Sequence, residues 1–107
     1  MRLNALKPDR VLSMLGIAEK AGSVQSGEFC TENAIKSGKA ALVIVAQDAS
    51  DNTKKKFENM CEFRQIPFAV YGTKEELGHH IGKEFRASLA VTNEGIADTL
   101  QKQLDIN

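Results

Sequence analysis

No apolar run in this sequence approaches the roughly 20 residues needed to cross a bilayer, which argues against a membrane-spanning helix. The start, Met1-Arg2-Leu3-Asn4-Ala5-Leu6-Lys7-Pro8-Asp9, lacks the apolar segment of about 7–15 residues and the cleavage site of a secretory leader. Export is therefore not expected, and a cytoplasmic location is. Cysteine is scarce. Cys30 and Cys61 both fall in stretches with helical patterning, where a thiol behaves as a small buried hydrophobe, and nothing in a chain of this kind requires a disulfide staple or a metal. Net charge is also missing: 14 basic side chains balance 14 acidic ones, unlike the basic excess usual for indiscriminate nucleic-acid binding. The balance is uneven along the chain, with 9 basic and 6 acidic residues in 1–56 and the opposite bias beyond, so a local basic face is compatible with it.

Catalytic signatures are absent as well. There is no G-x-x-x-x-G-K-[ST] phosphate loop, no G-x-G-x-x-G after a strand, and no G-x-S-x-G around Ser26-Gly27. His79 and His80 are adjacent, and helical neighbours diverge by roughly 100°, so they are not expected to share a site. Glu75 and Glu76 suit the first turn of a helix, where the dipole favours acids. No acid–base pair is assembled, and neither an enzyme nor a bound cofactor is expected. Lys54-Lys55-Lys56 is the most basic tract, but three successive residues spread around most of a helix and give no single phosphate-binding stripe.

What is present is a regular alternation of helix-like and strand-like segments over 107 residues, the usual length of one domain. Val11, Leu12, Leu15, Ala18 and Ala21 recur at helical spacing after Pro8-Asp9, and Gly22 suits the left-handed residue after a helix. Ser23-Val24-Gln25 fits a short edge strand. Gly27 then opens a second helix carrying Ala34 and Ile35, which Gly38 ends. Ala41–Ala46 is a continuous, largely β-branched run, the mark of a central strand covered on both faces. Ser50 or Asp51 can cap a third helix with Phe57, Met60 and Cys61 inward. Ile66–Tyr71 reads as the next strand. Thr73-Lys74-Glu75-Glu76 is a capping box, leading into a helix with Leu77 and Ile81 on one face. Ala87–Thr92 is a last strand, and Ile96, Leu100 and Leu104 a last helix. Strands and helices in this rhythm predict an α/β fold, a three-layer α/β/α sandwich.

Two loops carry candidate binding chemistry. Ser26-Gly27-Glu28 lies at a helix start, where exposed N–H groups receive anions. Gly82-Lys83-Glu84-Phe85-Arg86-Ala87-Ser88 combines flexible backbone, cations and an aromatic, the ingredients for holding phosphate and stacking on an unpaired base.

The order of these segments resembles the kink-turn-binding ribosomal-protein family over roughly residues 9–104. The residues carrying the resemblance are Gly27 at a helix start, Leu42 to Ser50, and Leu77-Gly78, Gly82 and Ala87 to Val91. It is nearest the small bacterial members of the YlxQ type, through Leu15-Gly16-Ile17-Ala18, Val24-Gln25-Ser26-Gly27-Glu28, Asp48 to Thr53 and Leu77 to Glu84. The resemblance implies a four-stranded mixed sheet and binding of structured RNA without catalysis, with ribosomal RNA or a kink-turn RNA as partner and ribosomal proteins as candidate neighbours. It also implies that the loop entering the second helix reaches the G·A pairs of the kink, while the loop before the last strand packs under a flipped-out nucleotide. The face so implied comprises Gly27, Glu28, Asn33, Lys36, Lys83, Arg86 and Ala87. Gly27 and Ala87 would allow close approach, and Lys36, Lys83 and Arg86 would contact phosphate or stack. The family's pattern has a polar pair after the glycine and a lysine one turn later. Here those positions hold Phe29, Cys30 and Asn33, and Glu28 places an acid beside them. An alternative reading is a protein-interaction module that keeps the fold and presents Phe29 and Cys30 as an apolar contact.

Overall fold

The computed structural model describes residues 9–106. Five helices alternate with four strands: α1 (Arg10–Lys20), β1 (Val24–Ser26), α2 (Glu28–Lys36), β2 (Leu42–Val45), α3 (Asp51–Arg64), β3 (Phe68–Val70), α4 (Lys74–His80), β4 (Ser88–Val91) and α5 (Glu94–Leu104). The strands form one sheet in the order β1-β4-β2-β3. β2 and β3 are parallel, whereas β4 runs antiparallel to both β1 and β2, so the sheet is mixed. Helices α2 and α3 pack together against one side, and α1 with α4 and α5 against the other. The three-layer α/β/α sandwich and its four-stranded mixed sheet are thus both present.

Burial explains which strands are central. All four residues of β2 and of β4 are buried, as parallel or covered strands require. Their side chains meet Leu12, Leu15, Ile35, Phe57, Leu77 and Leu100 in one continuous core. Cys61 lies in that core, and burial pushes its thiol up to about 11, leaving it protonated at neutral pH. β1 is the edge strand that Ser23-Val24-Gln25 suggested, shifted by one residue. β3 is shorter than Ile66–Tyr71. Pro67 has no N–H to give, although its carbonyl accepts from Val43 at 3.0 Å.

Helix ends follow local chemistry. The side chains of Asp9, Ser50, Thr73 and Asn93 cap α1, α3, α4 and α5 by accepting backbone N–H bonds, and Thr73 with Glu76 completes the capping box. Tyr71 donates its hydroxyl to Asp9 Oδ2 at 2.6 Å, tying the end of the third strand to the start of α1. Burial, together with that carboxylate, raises the Tyr71 phenol to about 12.

Candidate nucleic-acid interface

Helix α2 begins differently from the other four. Its first flanking residue is Gly27, whose φ of 92° is a conformation that side chains rarely adopt and that turns the chain sharply out of β1. The Gly27 N–H donates to the Ser88 carbonyl at 2.9 Å, extending the β1–β4 pairing by one step, and its carbonyl receives the Thr31 N–H at 2.9 Å. A glycine has no side chain with which to cap. The N–H groups of Glu28, Phe29 and Cys30 accordingly meet no acceptor among the described residues. Three aligned donors at the positive end of a helix dipole form an anion-receptive surface.

The loop before β4 is brought to this same end. Arg86 donates its backbone N–H to the Lys74 carbonyl at 3.0 Å, its Nε–H to Ser26 Oγ at 3.1 Å and an Nη1–H to the Phe85 carbonyl at 2.8 Å. Of the five guanidinium donors, three meet no acceptor among the described residues and are available to a ligand. The Arg86 Nε would lie 4.0 Å from a Cβ at Gly27, so a side chain there would approach the guanidinium. Beneath this contact Ser88 Oγ donates to Thr31 Oγ1 at 3.1 Å, between two buried residues, and locks α2 to β4. Ala87 is half-buried, and its carbonyl accepts the Ala46 N–H at 2.9 Å. Gly78 sets how closely the loop lies on α4, because a Cβ there would collide with the Glu84 carbonyl and the Phe85 Cα.

The other residues of the expected face are distributed differently. Lys83 is exposed and lines a groove of about 630 Å³ with Glu75, Glu76, His79, His80, Glu84 and Phe85, where three carboxylates offset its charge. Contrary to the expectation of divergence, His79 and His80 share this groove, their rings edge to face at 5.4 Å. His80 is the last residue of the helix, and its Nδ1 folds back to within 2.9 Å of the Glu76 carbonyl. Asn33 is exposed and lines a smaller depression, of about 310 Å³, with Cys30, Gln25 and Lys39. Lys36 lies eight residues after Glu28, about 12 Å along the axis at the opposite end of α2, and pairs with Glu32 at 2.7 Å. Glu28 turns towards α3, where its Oε2 accepts from Lys56 Nζ at 2.9 Å. Lys56 also reaches Glu32 at 2.7 Å. These lysines, Lys36 foremost, hold the Glu32 carboxyl down to about 2, and the two acids raise the Lys56 ammonium above its ordinary range. The structure therefore gathers Gly27, Glu28, Arg86 and Ala87 into one region and leaves Asn33, Lys36 and Lys83 outside that cluster of contacts.

Residues 9–101 match the model of the ribosomal protein L7Ae/L30e/S12e/Gadd45 family. The chain belongs to this family. Among curated L7Ae-type relatives, the RNA-binding protein YlxQ of Bacillus subtilis (strain 168) is 39% identical over 92 residues, spanning 86% of this chain and 92% of that one. The RNA-binding protein YlxQ of Enterococcus faecium is 29% identical over 103 residues, covering 96% and 99%. The chain is thus a member resembling the bacterial YlxQ type. A Bacillus halodurans protein of unknown function superposes with a TM-score of 0.89 at 36% identity, covering 92% of this chain and 99% of the other. The Giardia lamblia 15.5kD RNA binding protein shares the fold, with a TM-score of 0.76 at 18% identity over 92% and 88% of the two chains.

The supporting contacts of Ser26, Thr31, Ser88 and Gly78 are not legible in the sequence. A serine in a strand or a threonine in a helix carries no distinctive local signal of such a contact. Their importance arises only when β1, β4 and α2 converge.

Proposed function

We propose that this chain is a non-enzymatic, cytoplasmic module that binds structured RNA through the N-terminus of α2 and the loop before β4. The observation that carries this reading is Arg86, which reaches Ser26 Oγ at 3.1 Å and so joins both loops into one cationic, donor-rich surface. Family membership and the RNA-binding names of the YlxQ relatives supply the class of partner. The three unpaired N–H groups of α2 would receive phosphate or base-edge oxygens, Arg86 would clamp a phosphate, and Gly27 and Ala87 would let the RNA backbone approach. Ribosomal or kink-turn RNA is the finer form of the proposal, with a role beside ribosomal proteins. Lys83 would add a peripheral phosphate contact.

The test is a titration against a kink-turn RNA, a straight duplex and a single strand, each at two salt concentrations. Tighter binding to the kink-turn RNA supports the finer form. Equal binding to all three, falling steeply with salt, reduces the function to phosphate contact. Absence of binding to all three at low salt overturns the reading in favour of protein interaction. A double Lys83→Ala and Arg86→Ala variant should weaken binding without unfolding the protein, and unchanged affinity would show that the face is wrong.

A further inference from the structure

Phe29 is 80% exposed, although it lies in the first turn of a helix whose opposite face is built into the core. An aromatic residue standing in water contributes little to folding, and a single exposed hydrophobe is by itself ordinary. Its surroundings give it a use. Phe29 is two residues past Gly27, on the turn whose N–H groups are unpaired and beside which Arg86 keeps three free donors. Helical Cα–Cβ bonds tilt towards the N-terminus, so the side chain leaves the helix leaning towards that donor-rich end. Glu28, the acid next to it in sequence, is held by Lys56 of α3.

We infer that Phe29 is a stacking platform for an unpaired base of the RNA, an inference that rests on the RNA-binding reading above. The phenyl face takes the base while Arg86 and the α2 N–H groups take the adjoining phosphate. This complementarity of an apolar plane and a cationic rim matches a nucleotide. It fits a purely apolar protein contact poorly, because such a contact would leave those donors buried and unsatisfied. The Phe29 side chain cannot hydrogen-bond a base edge. At this position the chain therefore selects its ligand by the availability of an unstacked base, and a fully paired helix offers none.

The experiment compares the intact protein with Phe29→Ala, Phe29→Leu and Phe29→Trp, using a kink-turn RNA, a single-stranded RNA and a fully paired duplex. Phe29→Ala and Phe29→Leu should each bind the first two RNAs roughly 10- to 100-fold more weakly and the duplex unchanged, since leucine keeps the apolar bulk but has no π-face. Phe29→Trp should retain affinity. Because the chain contains no other tryptophan, its indole fluorescence should be quenched by the RNAs with unpaired bases and not by the duplex. Circular dichroism checks that each variant folds. Wild-type binding with Phe29→Ala within twofold on every RNA overturns the stacking role alone, as does full retention by Phe29→Leu. Wild type that binds none of the three RNAs overturns the RNA-binding reading and this inference with it.

Discussion

Arg86 is the side chain on which the two loops depend. Its planar fork satisfies Ser26 Oγ and the Phe85 carbonyl at once while keeping donors for a ligand. A lysine ammonium is a point charge and cannot reproduce that geometry. Arg86→Ala should therefore weaken RNA binding by about 1.5–3 kcal/mol, roughly ten- to a hundred-fold, and Arg86→Lys should recover little of it, as measured by isothermal titration. Glu32 makes a different kind of prediction. Its carboxyl is held at about 2, below the ordinary 4.5, first by Lys36 and then by Lys56. A depressed carboxylate stabilises the fold at pH values above 4.5, and the contribution disappears as pH falls from there through about 2. The Glu32 side-chain carbonyl shift, followed by NMR, should titrate near 2 in the wild type. In Lys36→Gln it should move up towards 4.5.

Elements meet where small or hydroxyl side chains allow them to. Gly78 in α4 permits the chain at Glu84 and Phe85 to lie directly on the helix, and a methyl group there would overlap backbone that has no flexible end to yield. Gly78→Ala should cost about 1–3 kcal/mol and lower the melting temperature by several degrees. It should also weaken RNA binding by displacing the loop that carries Arg86. At Gly16 the nearest atom to an added Cβ is the His80 carbonyl at 3.1 Å, so Gly16→Ala should be milder. The Ser88–Thr31 hydroxyl pair joins β4 to α2 in a fully buried setting. Ser88→Ala or Thr31→Val alone leaves the partner hydroxyl unsatisfied and should cost about 1–3 kcal/mol. The double variant should cost less than the sum of the two, a coupling that urea denaturation can read directly.

For the molecule as a whole, zero net charge constrains how it can hold RNA. Lys56 is occupied by Glu28 and Glu32 and Lys36 by Glu32, and Lys83 lines a groove with three carboxylates. On the proposed face Arg86 and Lys83 are the cations that remain to displace counterions. Each neutralised phosphate contributes about −0.7 to −0.9 to the slope of log K against log salt, so two such contacts predict a slope of about −1.4 to −1.8. A slope several times steeper would mean that a broader basic surface is engaged. Affinity on so small an electrostatic footprint has to come from shape, directed hydrogen bonds and stacking.

Much of the architecture was legible in the sequence because it is encoded by local chemistry. The run Leu42–Val45 could only be a covered strand, Thr73 and Glu76 wrote their own helix start, and the positive φ of Gly22, Gly27 and Gly38 falls where turns were expected. The resemblance likewise pointed to the two loops. What the sequence by itself determined is thus the alternation of elements, the layered fold and the positions of the loops, each depending on neighbours within a turn or two. The tertiary structure decided which residues meet: Arg86 with Ser26 across sixty positions, Lys56 with Glu28 across twenty-eight, and Phe29 in solvent rather than in the core. The physical reason is that these relations depend on strand order and on which helices share a layer. Reversal of the chain between β1 and β4 brings one loop to the other, and no periodicity within either loop records that meeting.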